Sequence, residues 1–171
     1  MTAVSSLDEL ETERLTLRRQ CEDDAGVFHR MWTERDERVP AHRRIDADGH
    51  PDVQDIAAHI RGQDTSRPGL LTVVLRERRE VIGYCGIVWD GDQPELAFEL
   101  LRAAHNRGYA TEAGRAVLDW ARAAGYSQLG ASVWDWNLAS RRALEKLGFH
   151  ETGVVTKESV HGRSLMTVRE L

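Results

Sequence analysis

The residues His105-Asn106-Arg107-Gly108-Tyr109-Ala110-Thr111-Glu112-Ala113 join a strand-like run to a helix-like one, and the chemistry such a junction suits is the binding of an anion. The first amide groups of a helix have no partner within it, and the positive end of its dipole points the same way. Gly108 carries no side chain to shield its amide, and Asn106 tolerates the left-handed backbone of a tight turn. A turn glycine beside a solvated Arg107 is an equally good reading of these nine residues taken alone. Ahead of them, Glu95 and Glu99 fall on one face of the run Glu95 to Leu101, opposite Leu96, Phe98 and Leu100. Carboxylates so placed are candidate general bases, or else part of a solvated sheet face.

Other reactive side chains offer less. His42, His50 and His59 are spaced by eight and nine residues, which matches no compact metal-ligand motif, so no metal is expected. Cys85 lies inside the apolar run Val81 to Trp89 as core, and Cys21 stands exposed before an acidic cluster; two cysteines form no disulfide framework. The chain lacks both G-x-x-x-x-G-K-[ST] and a post-strand G-x-G-x-x-G, which argues against ATP and NAD.

The elements that must position these residues follow from periodicity. Leu15 and Leu17 alternate as a first strand, after a stretch up to about Thr12 that is expected to fray. Val27, Phe28, Met31 and Trp32 share one helical face, as do Val53, Ile56, Ala57 and Ile60. Between these two helices, Glu34 to Pro51 reads as a charged loop with room for a short helix. Leu70 to Leu75, Val81 to Trp89 and Glu95 to Leu101 form an antiparallel meander of strands two to four. Ala113, Ala116, Val117, Trp120, Ala121 and Ala124 mark a helix that Gly125 ends. Leu129 to Trp134 is a fifth strand, Asn137 opens a helix that Gly148 closes, and Val154 to Val160 with Ser164 to Val168 make a final hairpin.

The whole is an α/β (α+β) chain with one domain over residues 13–171: a mixed, mostly antiparallel sheet of about seven strands with helices on both faces. A helical crossover makes strands four and five parallel neighbours. The 171 residues, 41% hydrophobic and 30% charged, suit one soluble domain. A net charge of −5 argues against nucleic acid as a partner and is compatible with a cationic substrate. No apolar run approaches the ~20 residues of a membrane helix, and the first residues are too polar for a secretory signal, so a cytoplasmic location is expected.

The stretch from His105 to Ala110 resembles the acetyl-CoA signature Q/R-x-x-G-x-G/A of the GCN5-related N-acetyltransferases, with His105 departing from the usual Gln or Arg. Arg107 to Ala113 looks more specifically like the ribosomal-protein alanine N-acetyltransferase branch. Asn137-Leu-Ala-Ser140 followed by Leu144-Glu-Lys-Leu-Gly-Phe149 resembles the segment after that branch's fifth strand. Arg14-Leu-Thr-Leu-Arg18 and Val81-Ile-Gly-Tyr-Cys-Gly86 look like the first and third strands, so the likeness covers nearly the whole chain.

The resemblance implies a domain with splayed strands four and five, and acetyl transfer from acetyl-CoA to a primary amine by direct attack in a ternary complex. It places the pyrophosphate on amides of Arg107, Gly108, Tyr109, Ala110, Thr111 and Glu112, and the pantetheine arm on the backbone of Leu100, Leu101 and Arg102. It makes a backbone N–H near Leu100 or Leu101 the polariser of the carbonyl, and for such a transfer the alternation of strand four offers Glu95 or Glu99 as the base. Asn137 would contact the cofactor, Ser140 would donate to the departing sulfur where many relatives carry a tyrosine at the position of Leu144, and Arg142 would meet the 3′-phosphate. Capping explains Asn137 and Ser140 equally well. The acceptor, a protein N-terminus or a small-molecule amine, would be chosen by Trp32 to Asp52. A monomer or homodimer is expected, acting on no membrane. The competing reading is a CoA-binding module without transferase activity; an interaction protein built on its Trp residues is less simple, since Trp32, Trp89 and Trp120 fall on apolar stripes while Trp134 and Trp136 suit the splay.

Overall fold

A computed structural model describes residues 6–171. Its sheet has the order β1-β2-β3-β4-β5-β6-β8-β7, with β1 Glu9–Glu11, β2 Leu15–Arg19, β3 Leu70–Leu75, β4 Glu80–Asp90, β5 Gln93–Leu100, β6 Gln128–Trp134, β7 His150–Ser159 and β8 Gly162–Glu170. Every neighbouring pair is antiparallel except β5 and β6. The meander and the closing hairpin stand where the alternation puts them. The eighth strand is β1, inside the stretch expected to fray: Leu10 lies opposite Leu17, and Leu7 is buried, so this segment is held by pairing and by the core. Residues 1–5, the rest of that expectation, lie outside the described residues.

Among the described residues four α-helices cover the sheet: α1 Ala25–Thr33, α2 Val53–Arg61, α3 Tyr109–Ala123 and α4 Leu138–Lys146. Phe28, Met31, Ile56 and Ile60 from α1 and α2 pack with Leu101 and Tyr84 on one face. Ala113, Val117, Trp120 and Ala121 of α3 and Leu144 of α4 pack on the other, against Cys85, Ile87, Leu96, Leu100 and Leu129. The connection from β5 through α3 to β6 is the helical crossover that parallel neighbours require. The loop between α1 and α2 contains one short 3₁₀ turn, Ala41–Arg43. Trp120 is buried, with Trp89 packed against the same core, whereas Trp32 stays partly exposed beneath the Arg35 guanidinium, 3.9 Å from its ring centre. Cys85 is fully buried, which pushes its thiol up to about 12, and Cys21 is exposed.

Candidate functional site

The strands β5 and β6 meet at one bridge, Glu95 opposite Gly130, and part beyond it. On its other edge β5 runs alongside β4 to the end, where the Leu101 N–H donates to the Ile82 carbonyl at 2.8 Å. Backbone groups of alternate residues point to opposite edges of a strand. The peptide groups of Phe98 and Leu100 therefore face the gap left by β6, with no strand beside them. The Leu100 carbonyl is met there by His105 Nε2 at 2.9 Å.

This geometry narrows the expected pantetheine contacts. Leu100 keeps an amide in the gap, and Phe98, which the sequence reading did not name, adds its own. The Leu101 N–H is spent on β4, and the Arg102 N–H donates to Glu34 Oε2 at 2.7 Å, so neither serves a ligand in the gap. Leu101 cannot polarise a carbonyl there for the same reason.

At the end of β5 the chain passes through the 3₁₀ turn Arg102–Ala104 and turns left-handed at Asn106 (φ 60°) and Gly108 (φ 79°) before α3 begins. The Glu112 amide is the first of the helix to find a backbone partner, the Gly108 carbonyl at 3.0 Å. The amides of Gly108, Tyr109, Ala110 and Thr111 are thus the orphans of the helix start. A Cβ built on Gly108 would meet one heavy atom within 4 Å, Arg14 Nη2 at 3.4 Å, so the turn is uncrowded at this residue. Glu112 does not belong with them. Its amide is used in the helix, and its carboxylate accepts from the Thr12 hydroxyl at 2.7 Å and the Arg14 amide at 2.9 Å. Burial alone would raise that carboxyl, but these bonds and the Arg14 guanidinium hold it below the usual range. Arg107 is exposed, with its carbonyl taken by Arg14 Nη1 at 3.0 Å.

The two candidate bases lie on the α1–α2 face and differ sharply. Glu99 is gripped by Arg35, with Nε at 2.8 Å and Nη2 at 2.7 Å, and accepts from the Tyr84 hydroxyl at 2.9 Å. Burial first and the Glu99 charge second push the Tyr84 phenol upward, so it stays a donor. Glu95 is buried at the bridge where the gap opens, and its one side-chain partner among the described residues is the Ser132 hydroxyl at 3.3 Å. Arg35 and Tyr84 escaped the sequence reading. Arg35 sits in a charged loop without periodicity, and Tyr84 sits in a strand read as core.

Across the gap, Asn137 caps α4: its side chain accepts from the Ser140 amide at 3.2 Å. That leaves the Ser140 hydroxyl partly buried and without a partner among the described residues. Leu144 is core, 3% exposed, and faces no ligand space. Arg142 is exposed; its neighbour Arg141 is the arginine that is tied down, to Glu151 and the Asp135 carbonyl. Trp134 and Trp136 stack at 6.2 Å, with the Arg38 guanidinium 4.3 Å above Trp136. Of the three histidines, His50 alone joins a group with metal-ligating atoms, Asp52 and Asp55 within 4.8 Å, and those atoms form the capping box of α2 with His50 bonded to Asp55.

A mixed sheet opened between its parallel strands, with an amide cradle at the mouth of the opening, defines an acyltransferase fold. The chain belongs to the GNAT acetyltransferases: the family model for the acetyltransferase (GNAT) domain matches residues 14–150. It is similar to the N-acetyltransferase p20 of Bacillus licheniformis, 29% identical over 166 residues that cover 92% of this chain and 91% of the relative. Its fold is that of a GNAT-family acetyltransferase from Bacillus anthracis, at TM-score 0.78 and 19% identity over 95% of this chain and 98% of that one. The ribosomal-protein acetyltransferase RimL, solved in complex with coenzyme A, matches at TM-score 0.78 and 12% identity over 96% and 98% of the two chains. Among the described residues no helix is long and apolar enough to cross a membrane.

Proposed function

We propose that this acetyltransferase moves acetyl from acetyl-CoA to a primary amine held on the α1–α2 side of the sheet, with Glu95 as the base. The observation that carries this reading is the parting of β5 from β6 directly beyond Glu95, which puts a buried carboxylate on the strand that bears the unpaired peptide groups of Phe98 and Leu100. The coenzyme A held by RimL supports the choice of cofactor. When bound, acetyl-CoA supplies a thioester carbonyl open to attack and a thiol able to leave. The orphan amides from Gly108 to Thr111 suit its pyrophosphate, and the Leu100 amide suits the pantetheine arm. The Phe98 amide is placed to polarise a carbonyl.

An amine attacks only after losing a proton, and at neutral pH it arrives charged. Glu95 takes that proton, directly or through one water. Glu99, already bonded to Arg35 and Tyr84, shapes the acceptor side and anchors the loop after α1. Ser140 donates a hydrogen bond to the departing sulfur, and Asn137 orients the start of α4. The stacked Trp134 and Trp136, Trp32 and the loop from Glu34 to Asp52 select between a protein N-terminus and a small-molecule amine.

The second reading, a CoA-binding module without turnover, draws on Leu144, which is buried where many relatives place an acid. Thiol release from acetyl-CoA across a panel of peptide N-termini, polyamines and aminated antibiotics separates the two. Acceptor-dependent release that Glu95→Gln removes supports the enzyme; tight acetyl-CoA binding with no release for any acceptor would support the module.

A further inference from the structure

The guanidinium of Arg14 contacts residues on either side of the amide cradle. It lies in the turn between β1 and β2, and its Nε and Nη2 meet Glu112 Oε2 at 2.7 and 2.6 Å. Its Nη1 donates to the Arg107 carbonyl at 3.0 Å. Its Cζ sits 4.5 Å from the centre of the Tyr109 ring, and its Nη2 borders Gly108. We propose that Arg14 is a positioning residue for the cofactor's pyrophosphate, aiming the Gly108 amide and neutralising Glu112 so that an anion can settle at the start of α3. This rests on the acetyl-CoA reading above.

Two physical reasons support it. A trans peptide is planar, with its C=O and N–H pointing in opposite directions. Arg14 holds the Arg107 oxygen, so the Gly108 N–H of the same peptide must point away from Arg14, toward open space. Without that bond the segment has little to hold it, since Asn106 and Gly108 are both left-handed and Asn106, Arg107 and Gly108 are exposed. The second reason is charge. A carboxylate in the first helical turn complements the dipole but repels a phosphate that uses the same end. Glu112 accepts from the Thr12 hydroxyl and from the backbone and side chain of Arg14, so its charge is answered on the side away from the cradle.

Calorimetric titration of the full chain with acetyl-CoA and with acetyl-pantetheine, which lacks the pyrophosphate, tests this. Arg14→Ala should weaken acetyl-CoA by about 10- to 100-fold, the range of a hydrogen bond to a charged group, and leave acetyl-pantetheine within about twofold. Arg14→Lys, which keeps the charge and loses the fork, should recover part of the affinity and guards against a fold failure in the alanine variant. Adding Glu112→Gln to Arg14→Ala should also recover part, because the uncompensated carboxylate is gone. Equal weakening of both ligands, or no weakening of either, would overturn the positioning role. An unaltered protein that binds acetyl-pantetheine as tightly as acetyl-CoA would overturn the pyrophosphate site itself.

Discussion

Glu95 and Glu99 occupy the same face of one strand four residues apart, yet their surroundings differ: Arg35 and Tyr84 hold Glu99, and Ser132 alone meets Glu95 among the described residues. Glu99 completes an ion pair with Arg35, whose side chain is 8% exposed, so Glu99→Gln leaves a buried guanidinium short of its partner. The expected cost is roughly 3 kcal/mol, read by chemical denaturation, with the acceptor KM disturbed as the loop loosens. Glu95→Gln should instead lower kcat by ~10²-fold with little change in stability, since a positioned base contributes at least that much. Wild-type rates for Glu95→Gln at every pH up to 9 would remove it as the base. For Ser140, loss of a hydrogen bond to a developing thiolate predicts a 10- to 100-fold slower turnover in Ser140→Ala, worth ~1.5–3 kcal/mol. The cap bond at α4 is made by the Ser140 backbone amide to Asn137, so the alanine variant retains it. A lower melting temperature at normal kcat would refute the donor role.

Two glycines, Gly83 inside β4 and Gly108 at the start of α3, control how the gap and the cradle are shaped. Gly83, at φ 152° beside the bulge between β3 and β4, faces the end of β5 so closely that a Cβ would stand 2.1 Å from the Glu99 carbonyl and 2.8 Å from Leu100 Cα. Both are backbone atoms, so neither can swing aside, and the strand bearing Glu99 and Leu100 would have to shift. Gly83→Ala is expected to destabilise by more than ~3 kcal/mol and to weaken acetyl-CoA binding together with stability. Gly108 is the opposite case. The space around it is open except for Arg14 Nη2 at 3.4 Å, so Gly108→Ala costs only the ~1–2 kcal/mol of a left-handed non-glycine residue while its methyl presses on the guanidinium that holds the cradle. Acetyl-CoA should then raise the melting temperature of this variant far less than that of the unaltered protein, and an undiminished shift would count against the cradle.

A buried polar contact ties the start of α1 to two strands of the sheet. Asp24, 2% exposed at the start of α1, accepts from both Arg18 nitrogens of β2, the Thr72 hydroxyl of β3 and the Cys21 amide. Burial by itself would raise its carboxyl, but the bonds from Arg18, Thr72 and Cys21 outweigh that and hold it below the usual 3.8. Unfolded chains therefore take up this proton at a higher pH than folded ones do. The stabilisation is complete above about pH 5 and is lost as the pH falls through the depressed value, in the same direction as for Glu112. Acid denaturation followed by circular dichroism should show a shallower dependence below pH 4 for Asp24→Asn, at the cost of a lower plateau near neutrality. Acetyl-CoA, binding only the folded chain, should add RT ln(1 + [L]/Kd) to the unfolding free energy and so raise the melting temperature, where ATP and NADH do not.

Local pattern was enough to place most of the elements. Period-two alternation marked the meander and β6, spacings of three and four marked the helices, and the left-handed positions Asn106 and Gly108 were legible from residue type alone. The order of the elements also implied the parallel pair, because a strand, a helix and a strand admit little else. The partners of each polar group were beyond that reading. Which glutamate is free depends on Arg35, distant in sequence from Glu99, and the fate of Glu112 depends on Thr12 and Arg14, from the turn between β1 and β2 far earlier in the chain. The strand at Glu9–Glu11 was hidden for the same reason: three residues carry too little periodicity to be seen, and pairing with β2 is what holds them. Periodicity records which side a residue faces, and that is a property of neighbours along the chain. Whether a carboxylate is gripped or free, and whether an amide is spent or open, is a property of neighbours in space.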